Sequence, residues 1–170
     1  MSFRKIRTDL AVEIRDMYKE AQKMEEEIPG VETIIDDSDK DVIVTTVKIV
    51  SDEAEQVLGK VKGEYVTIDA PKLKLNSETF NEKVGDKLIE ILKKITNMRP
   101  MDTVLVVGLG NEKITADALG PKVISKIDIT RHLLEYVPQY MEPNTRPVCG
   151  IAPGVLGTTG IETGEIIKEL

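Results

Sequence analysis

The chain has one cysteine, one histidine and no apolar run approaching the roughly 20 residues of a membrane span. A lone Cys149 cannot close an internal disulfide, which excludes a disulfide-stapled fold and fits a reducing compartment such as the cytoplasm. Its apolar neighbours make Cys149 a small core residue rather than a nucleophile. A single His132, without clustered cysteines or acids, is a poor metal signal and leaves a serine triad only one base to draw on. Met1–Ile6 is basic but lacks the apolar core of a signal peptide. The net charge of −7 supplies no dominant positive field, which argues against direct contact with nucleic acid or an anionic membrane. What remains is a globular composition, 41% apolar and 31% charged over 170 residues, enough for one substantial core.

Apolar spacing divides the chain into alternating elements. Leu10, Ile14, Met17, Ala21, Met24 and Ile28 recur every three or four residues, predicting a helix that Thr8 or Asp9 caps and Pro29-Gly30 ends. The β-branched run 41–50 predicts a strand, Ser51 a helix start that Gly59 stops, and 65–69 a second strand. A longer helix follows Asn76-Ser77, with Phe80, Val84, Leu88, Ile91, Leu92 and Ile95 on one stripe. The acidic runs Glu25–Glu27 and Asp36–Asp41 read as solvated surface. Strands alternating with helices predict an α/β fold with a mainly parallel sheet covered on both faces.

Two segments carry the chemistry. Val104–Val107 is a buried strand that empties through Gly108, Gly110 and Asn111 into a polar loop ending at Asp117, where a helix begins. Carboxyl ends of strands are where α/β sheets place reacting groups, so Asp117 is the best catalytic candidate. A capping carboxylate at a helix start is its alternative role. The loop is not a dinucleotide fingerprint, because Lys113 stands where the third glycine belongs, and no cofactor is expected. A second apolar stretch at 148–151 leads to Gly154, Gly157 and Gly160, with Thr159 and Glu162 spaced as a capping box. It also lacks the lysine of a P-loop.

Taken in order, Arg7–Glu13, Gly108–Asn111, Thr115–Pro121, Thr130–His132 and Pro153–Thr163 resemble the germination protease family of spore-forming bacteria. That resemblance implies an endopeptidase that degrades small acid-soluble spore proteins during germination, inside the spore, as a homotetramer. It implies aspartic-type chemistry with Asp117 as one of two carboxylates, the second lying beyond Leu170. It also implies a self-processing zymogen, with residues 1–9 as propeptide released by a cut between Asp9 and Leu10. Residues 10–170 would then be the N-terminal part of one catalytic domain, consistent with an apolar stripe (Ile161, Ile166, Ile167, Leu170) that stops without a cap. The core resembles that of hydrogenase maturation endopeptidases, a phosphorylase/hydrolase-like arrangement. Those relatives add a metal-binding acid next to the one matching Asp117, where this chain has Ala118, so no metal is expected. A metal-dependent maturation-type endopeptidase, and a non-catalytic peptide-binding or regulatory α/β domain, remain the alternatives. Thr130–His132 reads as a structural turn opening a helix toward Tyr136.

Overall fold

A computed structural model describes residues 8–75 and 77–170, so Met1–Arg7 of the expected propeptide and Asn76 at the expected helix start lie outside the described residues. The chain divides between Ile95 and Thr96 into two compact units. Among the described residues, no helix is long and apolar enough to cross a membrane.

The first unit is built on strands β1 (Val31–Asp36), β2 (Ile43–Ile49) and β3 (Gly63–Asp69), in the order β1-β2-β3. Both pairings are antiparallel, with Asp36 opposite Val44 and Ile49 opposite Gly63. This corrects the expected mainly parallel sheet for this half of the chain. The reason lies in the connection between β2 and β3, which carries only the seven-residue helix α2 (Asp52–Leu58). A helix that short rises about 10 Å, whereas a parallel crossover must travel back along a strand of about 23 Å.

Alternation along the strands gives the sheet two apolar faces. Val31, Val47 and Ile49 form a core with Ala11 of helix α1 (Ala11–Gln22) and with Ala54 and Leu58 of α2. Ile34, Val44, Thr46 and Val66, of the opposite parity, line a recess with Lys87, Ile91 and Ile95 of helix α3 (Glu78–Thr96). Helices therefore cover both faces, as the sequence predicted, although the sheet between them is antiparallel. Ser51 caps α2 by accepting the Ala54 N–H at 3.1 Å, and Gly59 closes it in the left-handed conformation, both as expected.

Helix α1 ends earlier than its apolar spacing predicts. Lys23 adopts φ 55° and returns its N–H to Glu20, so the chain turns at Gln22 rather than at Pro29. Ile28 still reaches the core, 3% exposed, but from a loop. The loop is held by Arg15, whose Nε donates to Glu27 Oε1 and Oε2 at 3.1 and 2.9 Å. Glu27 also accepts the Ile28 N–H at 3.0 Å. Partial burial pushes the Glu27 carboxyl up, but the Arg15 hydrogen bond and the Ile28 N–H outweigh it and hold it at about 2.

The second acidic run lies at the surface, as expected, and three of its acids are paired. Lys72 pairs with Asp41 at 2.6 Å, Lys83 with Asp39, and Lys87 with Asp36 at 3.0 Å. The Ser38 hydroxyl and Lys87 together lower the Asp36 carboxyl to about 2. The β1–β2 turn is thus tied to the 3-10 segment Pro71–Leu75 and to α3 by three lysines.

The second unit contains strands β4 (Val104–Val107) and β5 (Val148–Ile151), paired in parallel with Val104 opposite Val148. Between them run helices α4 (Leu119–Ile124) and α5 (Arg131–Tyr136); α6 (Leu156–Thr159) and α7 (Thr163–Lys168) follow β5. This parallel pair is the part of the expected sheet that the second unit contains.

The Arg15–Glu27 pair generates a pH-dependent prediction. A depressed carboxyl contributes stability that is complete above its ordinary value of 4.5 and is lost as pH falls toward 2. Glu27→Gln should cost about 1–2 kcal/mol at pH 7, a charge-assisted bond discounted for solvent screening. Urea melts of both chains from pH 7 to 2.5 provide the check. The gap should close as pH falls, and a gap of constant size would contradict the assignment.

Candidate active site

β4 and β5 deliver two loops from the same end of a parallel pair. The Val104 N–H donates to the Pro147 carbonyl at 2.9 Å and the Gly108 N–H to Ile151 at 2.8 Å, so pairing continues past the last residue of β4. Beyond it the backbone turns sharply at Gly110, φ 127°, a conformation other residues rarely adopt. The polar loop then returns to pack directly on its own start. A Cβ on Gly108 would overlap the Gly120 carbonyl, one on Gly120 the Leu109 carbonyl, and one on Gly110 the Asp117 carbonyl. Three glycines make this crossing possible, and Gly120 is one that sequence reading had not singled out.

The crossing determines what Asp117 does. The Asn111 N–H points at Asp117 and is shared between its carboxylate Oδ2, at 2.8 Å, and its own carbonyl, at 3.0 Å. Asn111 Oδ1 accepts the Lys113 N–H at 3.0 Å, bending the loop back toward the short 3-10 turn Thr115–Asp117. Asp117 is therefore not the cap of α4. That position belongs to Ala118, which makes no side-chain cap and is 1% exposed. The buried methyl anchors the turn and its neighbour Asp117 projects into solvent. Around it lies an open depression of ≈ 420 Å³ lined by Val106, Val107, Leu109, Leu119 and Val123. Leu109 and Leu119 are 57% and 77% exposed, so the carboxylate stands beside apolar surface.

A germination protease family model matches residues 11–170. The germination proteases of Clostridium acetobutylicum and Clostridium tetani are 46% and 47% identical over 166 and 163 residues. Each alignment covers 96% of this chain and 50% of the relative. That of Priestia megaterium is 38% identical over 168 residues, 95% of this chain and 45% of its own. The chain belongs to the germination protease family. It spans about half the length of the curated relatives it matches.

Within this family member the second loop uses its glycines unequally. Gly154, φ 78°, brings Thr158 Oγ1 and Thr159 Cγ2 within 3.3 and 3.2 Å of where a Cβ would sit. Gly160, φ 72°, closes α6, whereas nothing lies within 4 Å of a Cβ on Gly157. The expected capping box does not form. Gly160 ends one helix after Thr159, whose hydroxyl lies 2.9 Å from the Ile161 carbonyl, and Glu162 is itself the N-cap of α7 without a side-chain bond. Thr163 Oγ1 instead donates to the Gly154 carbonyl at 3.0 Å, tying the loop to the start of α7.

Thr130–His132 opens α5, as expected, and Thr130 does more than turn. Its N–H donates to the Val148 carbonyl at 3.1 Å, while Oγ1 accepts the Val148 N–H at 2.9 Å and bonds the Arg146 carbonyl. One threonine thereby extends the ladder at the start of β5. Cys149 is half-buried rather than a core residue, with an Arg131 N–H 3.9 Å from its sulfur. His132 is exposed on α5. Among the described residues, no three His, Cys, Asp or Glu side chains converge as a metal set.

The tight crossing predicts opposite outcomes for two alanine substitutions. Gly120→Ala places a methyl within 2.7 Å of the Gly108 carbonyl carbon and should cost about 3 kcal/mol or more. Gly157→Ala, in open space inside α6, should be neutral or stabilise by about 0.5 kcal/mol. Denaturant melts of both variants measure the contrast; equal stabilities would mean that the loop after β4 does not pack on its own start.

Proposed function

We propose that the protein is an endopeptidase that degrades small acid-soluble spore proteins during germination, with Asp117 as one of an aspartic-type pair of carboxylates. Family membership supports the activity class. One observation carries the residue assignment: Asp117 is an exposed carboxylate beyond the carboxyl end of β4, anchored among the described residues by one oxygen only. Its Oδ2 takes the Asn111 N–H and fixes the plane of the group, leaving Oδ1 to accept a proton from water. Water then attacks the peptide carbonyl, and a protonated second carboxyl, supplied from beyond Leu170, protonates the leaving amine. The loops at Gly108–Asn111 and Gly154–Gly160 support this site.

The reading extends to the whole protein as a homotetramer acting inside the spore, with a core like that of the hydrogenase maturation endopeptidases and residues 10–170 as part of one catalytic domain. It is made as a zymogen that removes residues 1–9 by cutting between Asp9 and Leu10. Both residues are exposed, as a protease requires.

Asp117→Asn retains an oxygen for the Asn111 N–H while removing the titratable group. In the full-length protein it should abolish cleavage of a small acid-soluble spore protein and shift the melting midpoint little. Normal turnover would rule out the catalytic assignment and leave Asp117 a loop anchor. Processing has its own readout in N-terminal sequencing of the mature enzyme. Leu10 is expected as the first residue, and active enzyme that retains Met1 or Ser2 would overturn the propeptide assignment.

A further inference from the structure

We infer that the cut between Asp9 and Leu10 builds its own latch: the new α-ammonium of Leu10 pairs with the Glu13 carboxylate, replacing a cap that leaves with Thr8. The inference rests on the processing proposed above. In the uncut chain Leu10 is the N-cap of α1, with extended backbone (φ −82°, ψ 120°) and no side chain of its own to cap the helix. Thr8 serves instead. Its Oγ1 accepts the Leu10 N–H at 3.2 Å and donates to Glu13 Oε2, so one hydroxyl bridges the nitrogen to be released and the carboxylate that can receive it. Glu13 stands at the third position of the helix, from which an acid reaches back to the N-cap nitrogen in a capping box.

Hydrolysis breaks the carbon–nitrogen bond between Asp9 and Leu10. The Asp9 carbonyl gains a water oxygen and becomes a carboxylate, while the Leu10 nitrogen gains protons and becomes an ammonium. Thr8 departs with the released peptide, uncovering both the nitrogen and Glu13. A bare ammonium at the positive end of the α1 dipole would weaken the first turn. That turn cannot be given up, because Ala11, next in the chain, is 3% exposed and belongs to the sheet core. Pairing with Glu13 neutralises the new charge where the lost hydroxyl had stood.

The test uses chains that begin at Leu10, prepared by removing a cleavable leader with an unrelated protease, so that it does not depend on self-processing. The Leu10 nitrogen is isotopically labelled and its α-amino group titrated by NMR. In the native sequence its pKa should lie about one unit higher, a tenfold tighter proton, than in the Glu13→Gln chain. Glu13→Asp, one methylene shorter, should recover part of that shift. Glu13→Gln should also lower the Tm of the chain beginning at Leu10 more than that of the uncut chain, where Thr8 still caps. Equal α-amino pKa values in the native and Glu13→Gln chains would overturn the latch even if sequencing finds the mature enzyme cut after Asp9. A Leu10 terminus absent from mature enzyme would overturn the processing separately.

Discussion

The second unit depends on one close contact, backbone against backbone, between Gly108–Gly110 and Asp117–Gly120. Main chains approach this closely only where no side chain intervenes, and glycine stands at all three positions where a Cβ would collide. The contact converts a flexible polar loop into a fixed one, because the Asn111 N–H then has the Asp117 carbonyl and carboxylate in reach. It also sets the phase of α4. With Ala118 driven inward, the preceding side chain must point outward. The orientation of Asp117 is therefore a consequence of where the glycines are.

The first unit solves a different problem, that of an acidic chain carrying two dense clusters of like charge. Surface ion pairs are individually weak, at about 0–1 kcal/mol. Their value here is topological. Lys72, Lys83 and Lys87 come from two segments and converge on one hairpin turn; the Lys83 and Lys87 pairs fix the approach of α3 to a sheet face, and the Lys72 pair ties in the 3-10 segment before it. Arg15 does the same for the loop after α1, with better shielding and with both Nε and Nη2 on the Glu27 carboxylate.

These particulars explain how far the sequence could be read. Local signals were legible: Ser51 and Gly59 bound α2, Val104–Val107 is a strand, and Thr130 opens α5, because each is written in adjacent residues. Pairing was not. The alternation of strand and helix suggests a parallel sheet, and only the length of the connection reveals that β2 and β3 must be antiparallel. β1 carries no clear alternation in sequence, because Ile34 stands between Glu32 and Asp36 on the parity that holds the acids. Helix α1 was overextended because Ile28 keeps the helical spacing while reaching the core from a loop. The acidic runs lie at the surface as expected, but their pairing is not legible in sequence, because the partners lie 31 to 51 residues away for Lys72–Asp41 and Lys87–Asp36. At the site, the glycines and Asp117 could be picked out, but not that Asp117 binds Asn111 rather than α4. Capping is a local rule, and the crossing that overrides it brings together residues six apart.

That override bears on the proposed chemistry. A carboxylate spent on a helix end is held by several N–H groups, which stabilise its charged form and resist proton transfer. Among the described residues Asp117 meets one, at one oxygen, and α4 makes do without a side-chain cap. A carboxylate that must share a proton needs this freedom, and it needs a second carboxyl within a few ångströms, where the two ionise as a unit. It also needs water thinned around it, since coupling between charges weakens steeply in bulk solvent. Leu109, Leu119 and Val123 already supply apolar surface on the side of Asp117 that faces the depression. A polypeptide laid over those side chains would exclude water from the carboxylate, coupling its binding to the environment that the proposed chemistry requires.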